Sequence, residues 1–401
     1  MCCIFSEFKG SQSPFSHLSL ELISFTIRPK EGKMKWKAFP PVIIVFCLIV
    51  IFDKCGEQKN EYPVQTETVD GIKVVINPKY PRDGVWTLQL EEELSIGDEM
   101  SENYLFDSPG EIRVGEGGKI YVSDWGVTNV RCFDEDGQYI RTIGRKGQGP
   151  GEFETIRFCL SSDGKTYFMD VVNSRISILD AEGNFISSFK ALNLSTGHFP
   201  IYSDKDNNIY FSREFRREKD RYRMTIHRCN PSGEELLNYG EFLGDRLILN
   251  ERDGKMMQSR RSVSPITVWI VTHDGRLYAG YSGTYRINVY EPNGSLSFKF
   301  GREYDPIADT ENWLSGTSDF LPAFYRNWQF DDDGNLWIEL LRTIGQEEIV
   351  YDVFSPEGIY MNQFRVEHRI FCIKDGKAYC IVHSEQGLPL ITRNRMIKKA
   401  G

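Results

Sequence analysis

Gly117-Gly118-Lys119-Ile120-Tyr121-Val122-Ser123-Asp124 and Asp163-Gly164-Lys165-Thr166-Tyr167-Phe168-Met169-Asp170 are one phrase written twice. It returns as Asp206-Asn207-Asn208-Ile209-Tyr210-Phe211 and as His273-Asp274-Gly275-Arg276-Leu277-Tyr278. Asp333-Gly334-Asn335-Leu336-Trp337-Ile338 and Lys374-Asp375-Gly376-Lys377-Ala378-Tyr379 bring the number to six. Each is a tight turn leading into a strand of alternating hydrophobicity.

A second phrase follows the first. It runs Asn129-Val130-Arg131-Cys132-Phe133-Asp134-Glu135-Asp136-Gly137 and recurs at 174–183, 225–233, 286–294 and 351–358, each time closing on glycine. One more strand comes after it, as in Tyr139-Ile140-Arg141-Thr142-Ile143. Adding the strand ahead of the first phrase gives four short antiparallel strands with a period of about 40–65 residues, the mark of propeller blades. The predicted fold is all-β, a six-bladed β-propeller of four-stranded antiparallel blades.

The most specific stretch is Ile143-Gly144-Arg145-Lys146-Gly147-Gln148-Gly149-Pro150-Gly151-Glu152-Phe153. It resembles the inter-blade signature of the NHL-repeat propellers, and more closely that of the six-bladed propeller lipoproteins of Gram-negative bacteria. The resemblance covers roughly residues 85–397 and is strongest in the first two blades. Some propellers of this class are lyases, lactonases or esterases that hold a metal in the central channel. The resemblance therefore keeps a metal-assisted hydrolase or lyase as the alternative to a non-catalytic binding module.

The last unit has only three strands, within 369–373, 377–382 and 388–397, whereas Val85-Trp86-Thr87-Leu88-Gln89-Leu90 through Ile96-Gly97 precedes the first. We expect this N-terminal strand to complete the sixth blade and so cover two edges otherwise open to aggregation.

The leader reads separately. Met34-Lys35-Trp36-Lys37 and the apolar run Ala38 to Phe52 form a basic n-region and an h-region too short for a membrane span. Translation is expected to start at Met34, leaving residues 1–33 as an over-extended N-terminus. Cys55 ends the apolar run, in a pattern that resembles a bacterial lipoprotein signal, although Phe52-Asp53-Lys54 stand where small residues are usual. The expected domains are thus 1–33, a signal at 34–55, a tether at 56–84 and the propeller at 85–401. The expected location is the cell envelope, periplasmic or surface-exposed and lipid-anchored, with plain secretion as the alternative.

The formal net charge is −9, and beyond residue 55 there are 41 basic against 53 acidic side chains. An acidic body argues against nucleic acid as a partner, since that requires a basic face. Of nine cysteines, Cys132, Cys159, Cys229, Cys372 and Cys380 lie in apolar strand patterns without metal-ligand spacing and read as buried free thiols. No nucleophile elbow, phosphate-binding loop or zinc motif is present. No catalytic residue, cofactor or metal ligand is assigned, and the chain is expected to be a monomer.

With strands a to d counted from the axis outward, the a–b and c–d turns share one face and the b–c and d–a connections the other. The long segments, 213–221, 240–265 and 301–327, all belong to the second face. Loops carry function because the scaffold does not dictate them. Arg216, Arg217, Trp313, Tyr325, Arg326 and Trp328 on that face, and Arg113 and Arg157 on channel-lining strands, are the candidate ligand-binding residues. Arginine with aromatic rings suits an anionic or sugar-like ligand through forked hydrogen bonds and stacking. The ligand itself, whether a small molecule, a glycan or a protein, has no signature in the sequence.

Overall fold

Six blades follow one another in chain order. The computed structural model describes residues 64–400 apart from 196–199, 217–220, 253–254, 261–264, 308–320 and 343–344. Blade one is Pro109–Val114, Ile120–Asp124, Asn129–Phe133 and Tyr139–Ile143, paired antiparallel in that order. Blade two is Arg157–Leu160, Thr166–Asp170, Arg175–Leu179 and Phe185–Lys190. Blades three, four and five begin at Tyr202–Ser203, Thr267–Val271 and Phe324–Phe330. Blade six consists of Ile370–Lys374, Lys377–His383, Pro389–Ala400 and the N-terminal strand Val85–Ile96.

The recurring glycine of the second phrase has a double role. Gly137, Gly183, Gly233, Gly294 and Gly358 all take positive φ, between 80° and 90°, as the c–d turn requires. The c–d register slips by one residue just before each turn, for instance at Cys132/Phe133 and Ile178/Leu179, which is a bulge. Each glycine also touches the outer strand of the preceding blade. A Cβ on Gly233 would meet Phe189 Cγ at 2.5 Å, one on Gly358 would meet Phe300 Cβ at 2.7 Å, and one on Gly137 would meet Leu94 Cδ1 at 3.0 Å. The repeat thus encodes the turn and the blade-to-blade fit in one position.

The contact of Gly137 with Leu94 belongs to the ring closure. The strand Val85–Ile96 pairs antiparallel with Pro389–Ala400, from Ile391 opposite Ile96 to Ala400 opposite Trp86. Ile96, Phe106, Ile112, Val122, Phe133, Tyr379 and Ile391 pack in one buried cluster between blades six and one.

Residues 56–84 were expected to be a tether, and the described part of that stretch is built into the body. Gln65–Val69 and Ile72–Asn77 form a hairpin around Asp70-Gly71, and the second strand joins the outer strand of blade four, Leu296–Arg302, in parallel. Asn77 is fully buried; its Nδ2 donates to Gly301 O and Gly358 O and its Oδ1 accepts from Tyr360 N, all at 2.8 Å. The first residues of the closing strand, Val85 to Thr87, then pair in parallel with Gln363 to Arg365 of blade five. One N-terminal stretch therefore covers the outer edges of blades four and five before completing blade six.

Two of the expected loops are strands. In blade three, strand b runs on to Arg216, strand c starts at Arg221, and strand d continues as Glu235–Arg252 before turning back as Lys255–Arg260. The described parts of the insertions at 213–221 and 240–265 thus prolong the sheet into a β-arm, because their backbone groups pair with one another. The cysteines Cys132, Cys159, Cys229, Cys372 and Cys380 are free thiols.

Candidate ligand-binding site at the channel mouth

The b–c turns of blades one and two are tied down by the aspartate that ends strand b. Asp124 accepts from the backbone N–H groups of Asp107, Ser108 and Gly126, and Asp170 from those of Glu154, Thr155 and Asn173. Short carboxylates do this well because they satisfy several turn donors at once. In blade one the turn presents Trp125, 38% exposed, whose ring lies against the Cα of Gly110, where a Cβ would come within 2.1 Å of it. Trp125 N donates to Ser108 O at 2.9 Å, joining this turn to the connection that enters blade one.

Arg157 is the first residue of the innermost strand of blade two, and its guanidinium lies 4.2 Å from the centre of the Trp125 ring. Its Nε is 3.6 Å from Glu111 Oε1, and Glu111 Oε2 is 3.9 Å from Arg113 Nη2. Glu111 also accepts from Phe158 N at 3.3 Å. These side chains are 14–27% exposed. Two arginines thus share one carboxylate. Burial, the largest single influence, lowers the Arg113 pKa; Glu111, joined by Tyr202, Cys372 and Cys159, offsets it and holds the group above the ordinary arginine value.

The pairing register shows why Arg113 stands out. It lies opposite Tyr121, and the equivalent a-strand residues opposite the first-phrase aromatics are Cys159, Tyr202, Ile270, Gln329 and Cys372. Arg113 is the one charged member of this ring of six, and its charge is felt by Tyr202, Cys372 and Cys159.

Sequence reasoning selected Arg113 and Arg157, and the fold brings them together. It missed Glu111, although a period of two places Glu111 on the same side of the strand as Arg113. Trp328 is corrected: it is 5% exposed and packs on Phe324, with ring centres 5.1 Å apart, because its strand position faces the neighbouring blade. Arg216 ends strand b of blade three, and Tyr325 and Arg326 lie in the first strand of blade five. Arg217 and Trp313, like Cys55, lie outside the described residues. Among the described residues no group of three or more His, Cys, Asp or Glu gathers as a metal site. His227 instead bonds Thr225 Oγ1 at 2.6 Å and Glu235 Oε2 at 2.8 Å. Among the described residues no helix is long and apolar enough to cross a membrane.

Six blades closed through the N-terminal strand make this chain a six-bladed β-propeller. Residues 97–242 match a family model described as a 6-bladed beta-propeller. No curated protein matches the chain. Among solved structures, a Bacteroides fragilis NCTC 9343 protein described as exported is similar, with 12% identity and a TM-score of 0.51 over 81% of this chain and 99% of that one. A virginiamycin B lyase from Staphylococcus aureus gives 13% identity and a TM-score of 0.42 over 77% and 99%. An aldose sugar dehydrogenase from Streptomyces coelicolor gives 14% and 0.44 over 78% and 99%.

Proposed function

We propose that this propeller is an extracytoplasmic, non-catalytic binding module that captures an anionic, ring-bearing ligand, an acidic saccharide, at its channel mouth. The observation that carries this reading is the sharing of Glu111 by Arg113 and Arg157, with Arg157 stacked on the half-exposed Trp125. A carboxylate on the ligand is received by the arginines through forked hydrogen bonds, and the exposed edge of the tryptophan packs against a sugar ring. Lipidation at Cys55 would hold the domain at the cell envelope, in keeping with the leader. The acidic body and the pairing of outer edges within the chain fit a monomer that does not bind nucleic acid.

The test is calorimetric titration with trigalacturonate and with neutral maltotriose. Binding of the acidic sugar alone, lost in Arg157→Glu, is the expected result. Equal binding of both sugars, or an unchanged affinity in Arg157→Glu, overturns the reading. For the location, Cys55→Ser should release the protein from membranes or leave it unprocessed; membrane association equal to wild type overturns lipid anchoring.

A further inference from the structure

A cavity of about 380 Å³, lined by residues of blades four and five and of the N-terminal stretch, opens away from the channel-mouth residues. Pockets of this size and mixed lining are the ordinary sites of small organic ligands. One part of its wall is apolar, with Ile307, Leu321, Leu340 and Val350. Another part is cationic, with Arg302, Arg365 and Lys79. The acids nearby are fewer: Asp305 pairs with Lys79, and Asp352 pairs with Arg302.

Arg302 is the informative residue. Its side chain is 9% exposed and is held rigidly, with Nε 2.6 Å from Asp352 Oδ2 and Nη1 donating to Glu303 O at 2.9 Å. Tyr285 and Tyr360 flank the guanidinium with ring centres at 4.7 and 5.2 Å, and their hydroxyls both donate to Asp352. Among the described residues Nη2 has no hydrogen-bond acceptor. A buried guanidinium with an unused donor, on the wall of a half-apolar cavity, is prepared for an acceptor from outside the chain.

We infer that this cavity binds a small amphipathic carboxylate, its acid group taken by Arg302 and Arg365 and its hydrocarbon part by the Ile307, Leu321, Leu340 and Val350 wall. The inference is independent of the channel-mouth reading, since no residue is common to the two sites.

Calorimetric titration of the full chain with octanoate, octan-1-ol and octylamine tests it. Octanoate is expected to bind, the alcohol at least tenfold more weakly, and the amine not at all. Ile307→Trp, which fills the cavity from an exposed position, and Arg365→Glu should each weaken octanoate at least tenfold, whereas Arg157→Glu at the channel mouth should not. Absence of octanoate binding, equal binding of octylamine, or full octanoate affinity in Ile307→Trp overturns the proposal. Melting temperatures of both cavity variants equal to wild type establish that the loss is local.

Discussion

The guanidinium of Arg157 on blade two lies 4.2 Å from the centre of the Trp125 ring on blade one, so a single stacked pair bridges two blades at the channel mouth. The pair couples the charge of the channel to a surface that a ligand can reach. Cation–π contacts of this kind contribute about 0.5–2 kcal/mol.

Trp125→Ala is therefore expected to weaken trigalacturonate binding by about tenfold, which corresponds to about 1.4 kcal/mol. The melting temperature should hardly move, because the ring is 38% exposed. Calorimetric titration and differential scanning calorimetry read the two quantities separately. A fall in melting temperature with unchanged affinity would make Trp125 a packing residue.

Two glycines of positive φ, Gly240 within strand d of blade three and Gly233 in the c–d turn before it, allow backbone conformation to be separated from blade contact. Gly240 has φ 93° with nothing within 4 Å of an added Cβ, whereas Gly233 has φ 86° and meets Phe189 at 2.5 Å. Alanine at Gly240 should cost only the left-handed strain of about 1 kcal/mol. Alanine at Gly233 should cost about 1–3 kcal/mol more through overpacking. Urea unfolding of the two variants gives the difference directly.

Asn77 offers a test of the N-terminal stretch. Its side chain closes three hydrogen bonds that tie blade four to blade five, and none has a solvent alternative. Asn77→Ala should cost about 1–3 kcal/mol for the groups left unpaired. Removal of all residues up to 97 should go further and produce aggregation through the bared edge of blade six, visible by light scattering. A truncated chain that stays monomeric at the wild-type melting temperature contradicts the closure.

A dependence of stability on pH follows from His227. Burial, and then Arg213, hold its imidazole below the ordinary value, while Glu235 pulls the other way. The unfolded chain then binds the proton more readily than the folded one. This contribution is complete above the unfolded value of about 6.5 and is lost as the pH falls from there through the lower folded value. His227→Gln should flatten urea midpoints measured across that window, and a slope unchanged from wild type would assign it to other groups.

The repeat was legible in the sequence because turn and strand recur together: Asp163-Gly164 and Asp333-Gly334 announce their strands by local chemistry alone. The closure could also be read, since three strands at one end and a spare one at the other leave a single economical arrangement. The hairpin at 65–77 carried its own Asp70-Gly71 signal, yet its strand Gln65–Val69 is exposed throughout and lacks an apolar face. The β-arm of blade three escaped because its pairing partners lie within segments rich in arginine and glutamate, a composition that reads as loop. For the site, Arg113 and Arg157 were visible as charges on strands that otherwise alternate apolar residues. Trp328 was misjudged because side-chain direction depends on a register shift between Phe324 and Trp328.

The closing pair also orders events during synthesis. Glu91 and Arg395, 304 positions apart, are brought together in it. The early strand must leave the ribosome and wait without its partner until almost the whole polypeptide has been made. The entropic cost of joining such distant segments grows only slowly with their separation, but the search is slow. Until then the growing chain carries an unfinished last sector. A product that terminates before Pro389 keeps that defect permanently, which gives quality-control proteases a way to tell incomplete copies from finished ones.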